Sequence, residues 1–404
     1  MDAVCDRVTE ITPIGSLRRF DATVGDISLL AVTSSPPKLF DALTATPGVK
    51  LLKRNRTTSV VEFERDRVTF HTTLPESAGA ALLWHTGSRA HTLELVRRAK
   101  SRELAMGPLG VHGLNTPQLV AADSEARVYD VLGLPFIAPE LREGQGEIEA
   151  ADNGALPALV ERRHIRGDLH MHSTWSDGRD DIEAMVRQAV ELGYQYVAIT
   201  DHSQSSASAG GLTVERLERQ QREIDDVQRR FSGITILHGV EVDILPDGQL
   251  DYPDSVLAGL DIVLASLHDS AGQSGRRLTD RYVRAIRHPL VNIITHPANR
   301  LVGYRPGYNL DFPRLFEAAA ETGTVLEIDG APLHLDMDGA LTRRAIAAGV
   351  MVSIDSDCHR AEWLDRQMTF GVATARRGWA EPAHVLNTRP LAELREVIAR
   401  KRET

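Results

Sequence analysis

Seven short apolar runs in the second half of the chain each end in a histidine or an acid, and that repetition limits the fold more sharply than any other feature. The first run enters His170, residues 196–200 precede Asp201 and His202, residues 234–240 precede Glu241 and Asp243, and residues 262–267 precede His268. Residues 291–295 then lead to His296, residues 325–328 to Asp329, and residues 351–354 to Asp355, Asp357 and His359. Between the runs lie helical patterns: Ile182, Met185, Val186, Ala189 and Val190 share one face, and Gly193 ends the segment. Strands alternating with helices, with polar groups at the strand ends, spell a parallel α/β barrel whose chemistry gathers on the carboxyl-terminal rim.

The first rim segment, residues 167–178, reads Gly-Asp-Leu-His-Met-His-Ser-Thr-Trp-Ser-Asp-Gly. His170 and His172 are one residue apart, so on an extended strand both imidazoles leave from the same face, close enough to grip one cation. Asp177 follows in the loop, where a hard carboxylate reaches a neighbouring ion. Imidazole and carboxylate without thiolate suit zinc, manganese or iron(II) rather than an iron–sulfur cluster. Cys358 points away from the face of Asp357 and His359 if that stretch is extended, so it is expected to be a small core residue.

With 404 residues the chain has room for two or three domains, each able to bury a core. A formal net charge of −10 excludes a dedicated nucleic-acid coat and leaves local basic surface as the feature to weigh. Cys5 and Cys358 are too few for a disulfide framework. No apolar run reaches membrane-spanning length and neither end carries a basic stretch followed by an apolar signal, so a cytoplasmic location without a membrane partner is expected.

The first third carries a different pattern. Gly15-Ser16 feeds a helix start with Arg18-Arg19, and Val24-Gly25-Asp26-Ile27-Ser28 opens a β-run. A Gly-Ser turn cradles phosphate, and strand carboxylates hold two divalent ions for in-line phosphoryl transfer. The stretch resembles the palm of the bacterial family X DNA polymerases, whose pattern runs Gly-Ser, Arg-Arg, Val-Gly-Asp-Ile-Asp. Ser28 stands in place of the second Asp and Thr69 in place of a third, which leaves Asp26. One carboxylate does not hold two mutually repelling ions, so polymerase activity is expected to be lost. Residues 86–91 match that family's nucleotide-contacting turn, residues 127–147 match the segment closing its thumb, and Arg97, Arg98, Lys100 and Arg102 offer charge to a phosphate backbone. The helical DNA-gripping domains that precede the palm in that family are not expected within these residues.

Taken in order, the rim motifs resemble the PHP (polymerase and histidinol phosphatase) domain. The resemblance implies a distorted (β/α)7 barrel over residues 165–404, joined by a linker at 150–164 to a small α+β nucleotidyltransferase palm/thumb-like domain at 1–149. It implies three divalent metal ions, zinc, manganese or iron. His170, His172, Glu241 and Asp357 would hold the first, Glu241 would share the second with His268 and His296, and Asp177, His202 and His359 would hold the third. Asp201 is expected to orient His202 or a neighbouring ligand, Asp201 or Asp355 to shuttle protons, and Arg300 to contact phosphate. Asp329 and Asp355 stand where such proteins often have Asn, and His334 where polymerase-linked ones often have Arg. The expected chemistry is phosphate-ester hydrolysis, most plausibly at a DNA 3′ end. A small phosphorylated substrate, or a non-catalytic DNA-binding or docking module, is the alternative.

Overall fold

The computed structural model describes residues 8–403, so Cys5 lies outside the described residues. The chain divides into two units, Met1–Leu156 and Pro157–Thr404. Among the described residues no helix is long and apolar enough to cross a membrane.

In the first unit, strands β1 (Val8–Pro13), β2 (Ile27–Thr33), β3 (Val49–Arg54), β4 (Thr58–Phe63) and β5 (Asp66–Thr73) form one sheet in the order β1-β2-β5-β4-β3. Leu39 and Phe40, from the helix Pro36–Ala45, close its core against Ala31, Val61 and Phe70. Gly15 adopts a φ of +65°, which lets the chain turn into the helix Gly15–Arg18. Strands β2 and β5 run parallel, and their register sets Ser28 directly opposite Thr69. The two positions where the resembled palm has acids therefore face one another as hydroxyls. Ser28 Oγ donates to Asp26 at 2.6 Å, so the remaining carboxylate is already engaged.

A smaller antiparallel sheet, β6 (Leu104–Gly107), β7 (Gly110–Gly113) and β8 (Leu119–Ala121), follows the helices Ala78–Thr86 and Arg89–Ser101. The Arg98 guanidinium grips both carboxylate oxygens of Asp152 at 2.6 Å and the Leu132 carbonyl at 2.6 Å. Arg97, Lys100 and Arg102 remain exposed. The boundary between the two units, Leu156 to Pro157, falls inside the linker expected at 150–164. Ile148 and Ala151 are buried in the helix Glu147–Asp152, while Val160 belongs to the second unit's core and donates to the Ala380 carbonyl at 2.8 Å.

The second unit is built on seven parallel strands, β9 (Gly167–Asp168), β10 (Tyr196–Ile199), β11 (Thr235–Asp243), β12 (Ile262–Ser266), β13 (Ile293–Ile294), β14 (Val325–Asp329) and β15 (Val352–Asp355), each beside its neighbour in sequence. Met171 pairs with Cys358 and His172 N–H donates to the Cys358 carbonyl at 2.9 Å, which brings the two edges together into a nearly closed barrel. Strand alternation sorts the side chains into two layers. Val197, Ile199, Val263, Ala265, Leu326, Ile328 and Ile354 pack outward under the helices. Tyr196, Ala198, Leu237, Ile262, Leu264, Ile293 and Val325 form a separate cluster with Leu394 and Ile398 of the helix Leu391–Arg402. Each valine, leucine or isoleucine among them contributes about 1.5–3 kcal/mol on burial, which offsets the cost of enclosing charged groups beyond the strand ends.

Candidate metal centre

Strand β9 ends at Asp168, shorter than the sequence pattern suggests, yet His170 and His172 still project together: their Nε2 atoms are 3.2 Å apart. Asp357 Oδ1 lies 3.1 Å from His172 Nε2 and 3.7 Å from His170 Nε2. Glu241, on β11, reaches into the middle with both oxygens. Its Oε2 is 3.6 Å from His170, 3.7 Å from His172 and 2.8 Å from His202 Nδ1, while its Oε1 is 3.0 Å from His296 and 3.4 Å from His268. Asp177 Oδ1 faces His359 at 3.3 Å, His202 at 3.6 Å and His172 Nδ1 at 4.0 Å. All nine side chains expected to bind metal are brought into one cage. His170, His172 and Glu241 are buried on its floor, whereas Asp177, His268 and His359 are partly exposed at its mouth.

This donor set fits divalent cations. Glu327 Oε1 accepts from His170 Nδ1 at 2.6 Å, which turns the Nε2 lone pair of His170 toward His172. Asp243 Oδ1 likewise takes His268 Nδ1 at 2.7 Å and aims its Nε2 at Glu241. The buried Nδ1 atoms of His172 and His296 have no hydrogen-bond partner. Converging lone pairs and orphaned ring nitrogens around a buried carboxylate are reconciled by a bound cation. The backbone is shaped for the same end: His296 and Asp357 adopt φ of +26° and +48°, a left-handed conformation that costs about 1–3 kcal/mol per residue and is held by the surrounding barrel.

Charge distribution follows from this crowding. Burial raises Glu241 and Asp357, but the histidines around them more than offset it and hold both carboxyls well below the usual range. Burial lowers His268 and His359, yet Glu241 with Asp243, and Asp177 with Asp357, outweigh it and push them up to about 10 and about 9. His172, buried beside His359 and His202, drops to about 3. Without metal, the cage therefore holds protons on particular imidazoles.

The three residues expected to take catalytic roles have the following partners. Asp201, expected to orient His202 or a neighbouring ligand, makes its hydrogen bonds to the segment between His172 and Asp177. Its carboxylate accepts from the Ser173 and Ser176 backbone N–H groups at 2.8 and 3.2 Å, from both serine hydroxyls, and from Gln220 Nε2, so it braces the turn that presents Asp177. Asp355 is fully buried and accepts from Leu169 N–H at 2.9 Å, which ties β15 to the first ligand segment. Arg300 does not point to a phosphate: Nε donates to the His334 carbonyl at 2.9 Å and the guanidinium also holds the Leu335 carbonyl and Asp338. Cys358 is buried, and burial raises its thiol to about 12, as a core residue requires. Sequence reasoning missed Glu327 and Asp243 as orienting groups. The available signal was an acid at alternate positions of an otherwise apolar strand, where an unpaired charge is costly.

Residues 168–298 match the family model of the PHP domain, and residues 81–143 match that of the DNA polymerase beta thumb. The chain is 40% identical over 397 residues to DNA polymerase/3′-5′ exonuclease PolX of Bacillus subtilis (strain 168), covering 97% of this chain and 69% of that protein. It is 32% identical over 210 residues to a probable phosphatase of Thermoanaerobacter sp. (strain X514), covering 48% of this chain and 78% of that protein. A probable phosphatase of Shewanella oneidensis is 31% identical over 204 residues, 48% of this chain and 76% of its own length.

Proposed function

Because the chain belongs to the family of DNA polymerase/3′-5′ exonuclease PolX, and is a metal-dependent phosphoesterase, we propose that its barrel removes nucleotides or phosphate from DNA 3′ ends in the cytoplasm. The observation that carries this reading is the convergence of nine histidine and carboxylate side chains on one partly open cage. His170, His172, Glu241 and Asp357 are assigned to one divalent ion, Glu241, His268 and His296 to a second, and Asp177, His202 and His359 to a third, with zinc, manganese or iron as candidates. When bound, such ions polarise phosphoryl oxygens and bring the pKa of water toward neutrality.

The chain's own groups do the positioning. Glu327 and Asp243 fix the tautomers of His170 and His268, and Asp201 holds the turn behind Asp177. The partly exposed mouth at Asp177, His268 and His359 admits the ester, while the buried floor excludes bulk water. The palm-like unit is assigned no polymerase activity, which the facing Ser28 and Thr69 support.

The phosphatase relatives favour a second reading, hydrolysis of a small phosphate monoester. Purified protein with Mn²⁺, offered a labelled 3′-recessed duplex and an aryl phosphate, separates the two. Shortening of the labelled strand from its 3′ end supports the nuclease, and turnover of the aryl ester alone overturns it. Incorporation of deoxynucleotides would overturn the loss of polymerase activity.

A further inference from the structure

Next to the cage, Asp329 at the end of β14 and His334 in the loop after it turn toward one another. Asp329 is fully buried; its Oδ1 accepts from Ala331 N–H at 2.6 Å, but its Oδ2 has no hydrogen-bond partner. That oxygen lies 3.7 Å from His334 Nδ1, a buried atom that is also without a partner. The separation is too long for a hydrogen bond and matches two ligands of one cation, which sit about 3–4 Å apart when each bond is about 2.0–2.2 Å. Ligand atoms of Asp329, His334 and Asp357 all lie within 4.8 Å of one another.

His334 is held for this geometry. Its ring packs 5.5 Å from that of His296, its N–H donates to the Ala331 carbonyl at 2.9 Å, and its own carbonyl accepts from Arg300 Nε at 2.9 Å. Arg300 also grips the next carbonyl, at Leu335, so the guanidinium staples this loop beside β14. An orphaned, fully buried carboxylate oxygen aimed at an orphaned imidazole nitrogen leaves two polar atoms unsatisfied, and one cation between them would satisfy both.

We propose that Asp329, His334 and Asp357 form an additional divalent-cation site, distinct from the nine-residue cage except for the shared Asp357, with Arg300 as the residue that positions His334. One imidazole and two carboxylates favour manganese or zinc. The inference rests on the reading of the cage as a three-ion centre, because Asp357 serves both.

The test is to load the full chain with Mn²⁺, remove free ion, and count bound manganese by elemental analysis for the wild type, His334→Ala and Asp329→Asn. Thermal melts serve as a check on folding. Four equivalents in the wild type and three in both variants are expected. Three equivalents in all proteins overturn this site and leave the cage intact, whereas a wild type that binds none overturns both. Four equivalents in the variants, or the loss of more than one from each, also overturn it. Anomalous scattering from a manganese-soaked wild-type crystal needs no variant: a peak between Asp329 and His334 is expected, and its absence where the cage is filled rejects the site.

Discussion

Glu327 carries more of the centre's geometry than a side chain inside a strand ordinarily does. One oxygen takes His170 Nδ1 at 2.6 Å and the other the His296 N–H at 2.7 Å, so a single carboxylate sets two ligands. In Glu327→Gln one of these acceptors becomes a donor, and metal affinity is expected to fall about 10–100-fold, read by competition with a chelator of known affinity. His170→Ala removes a ligand outright and is expected to reduce hydrolysis at least about 10³-fold, while Asp26→Ala leaves it unchanged; comparable losses would contradict the assignment of chemistry to the barrel. The metal-free cage also predicts a pH dependence. His268 and His359, raised to about 10 and about 9, are protonated at neutral pH, so metal uptake at pH 7 must expel protons. The sign for the metal-free protein follows: the stabilisation from these imidazolium groups is complete below their unfolded value near 6.5 and is lost as pH rises through 9–10. Melting temperature without metal is expected to fall over that window while metal affinity climbs. Calorimetric titrations in buffers of different ionisation enthalpy give the proton count, and a count of zero at pH 7 would contradict the charge distribution.

At the level of elements, the loop of residues 173–178 is held as tightly as a strand. A Cβ on Gly178 would come within 2.6 Å of the His172 carbonyl oxygen, so the loop can close over the ligand segment only with glycine there. Gly178→Ala is expected to displace Asp177 and weaken metal binding without unfolding the barrel, visible as a raised chelator sensitivity with an unchanged far-ultraviolet spectrum. The rim was legible in the sequence because a parallel barrel delivers every strand's carboxyl end to one place, so repetition along the chain becomes convergence in space. Which way an acid turns once it arrives is not encoded by its place at a strand end. Asp201 and Asp355 stand at the same rank as Glu241 in the pattern, yet backbone N–H groups that lie remote in sequence claim them. Glu327 and Asp243 escaped notice for the converse reason, since their partners, His170 and His268, come from other strands. Arg300 shows the same limit, because a guanidinium's partners depend on a loop whose path no local signal sets.

Across the whole molecule the two units carry opposite histories of charge. In the first, hydroxyls occupy the paired strand positions at Ser28 and Thr69. In the second, carboxylates and imidazoles crowd a buried site whose mutual repulsion must be relieved either by protons or by cations. Metal should therefore act on stability through the unit Pro157–Thr404. A cation that binds the folded state alone stabilises it by about 2.7 kcal/mol per site at a free concentration one hundred times its Kd. For a unit of roughly 250 residues, each kcal/mol moves the midpoint by about 2–4 °C, so a single filled site raises it by roughly 5–11 °C. Scanning calorimetry at pH 7 with chelator and then with rising Mn²⁺ is expected to show a midpoint that climbs with the logarithm of free ion. Asp26→Ala should leave that climb untouched, and Asp357→Asn should flatten it, because Asp357 faces His170 and His172 together. A midpoint indifferent to manganese and zinc alike would mean that the cage is relieved by protons alone, and the hydrolase would lose the cations its chemistry requires.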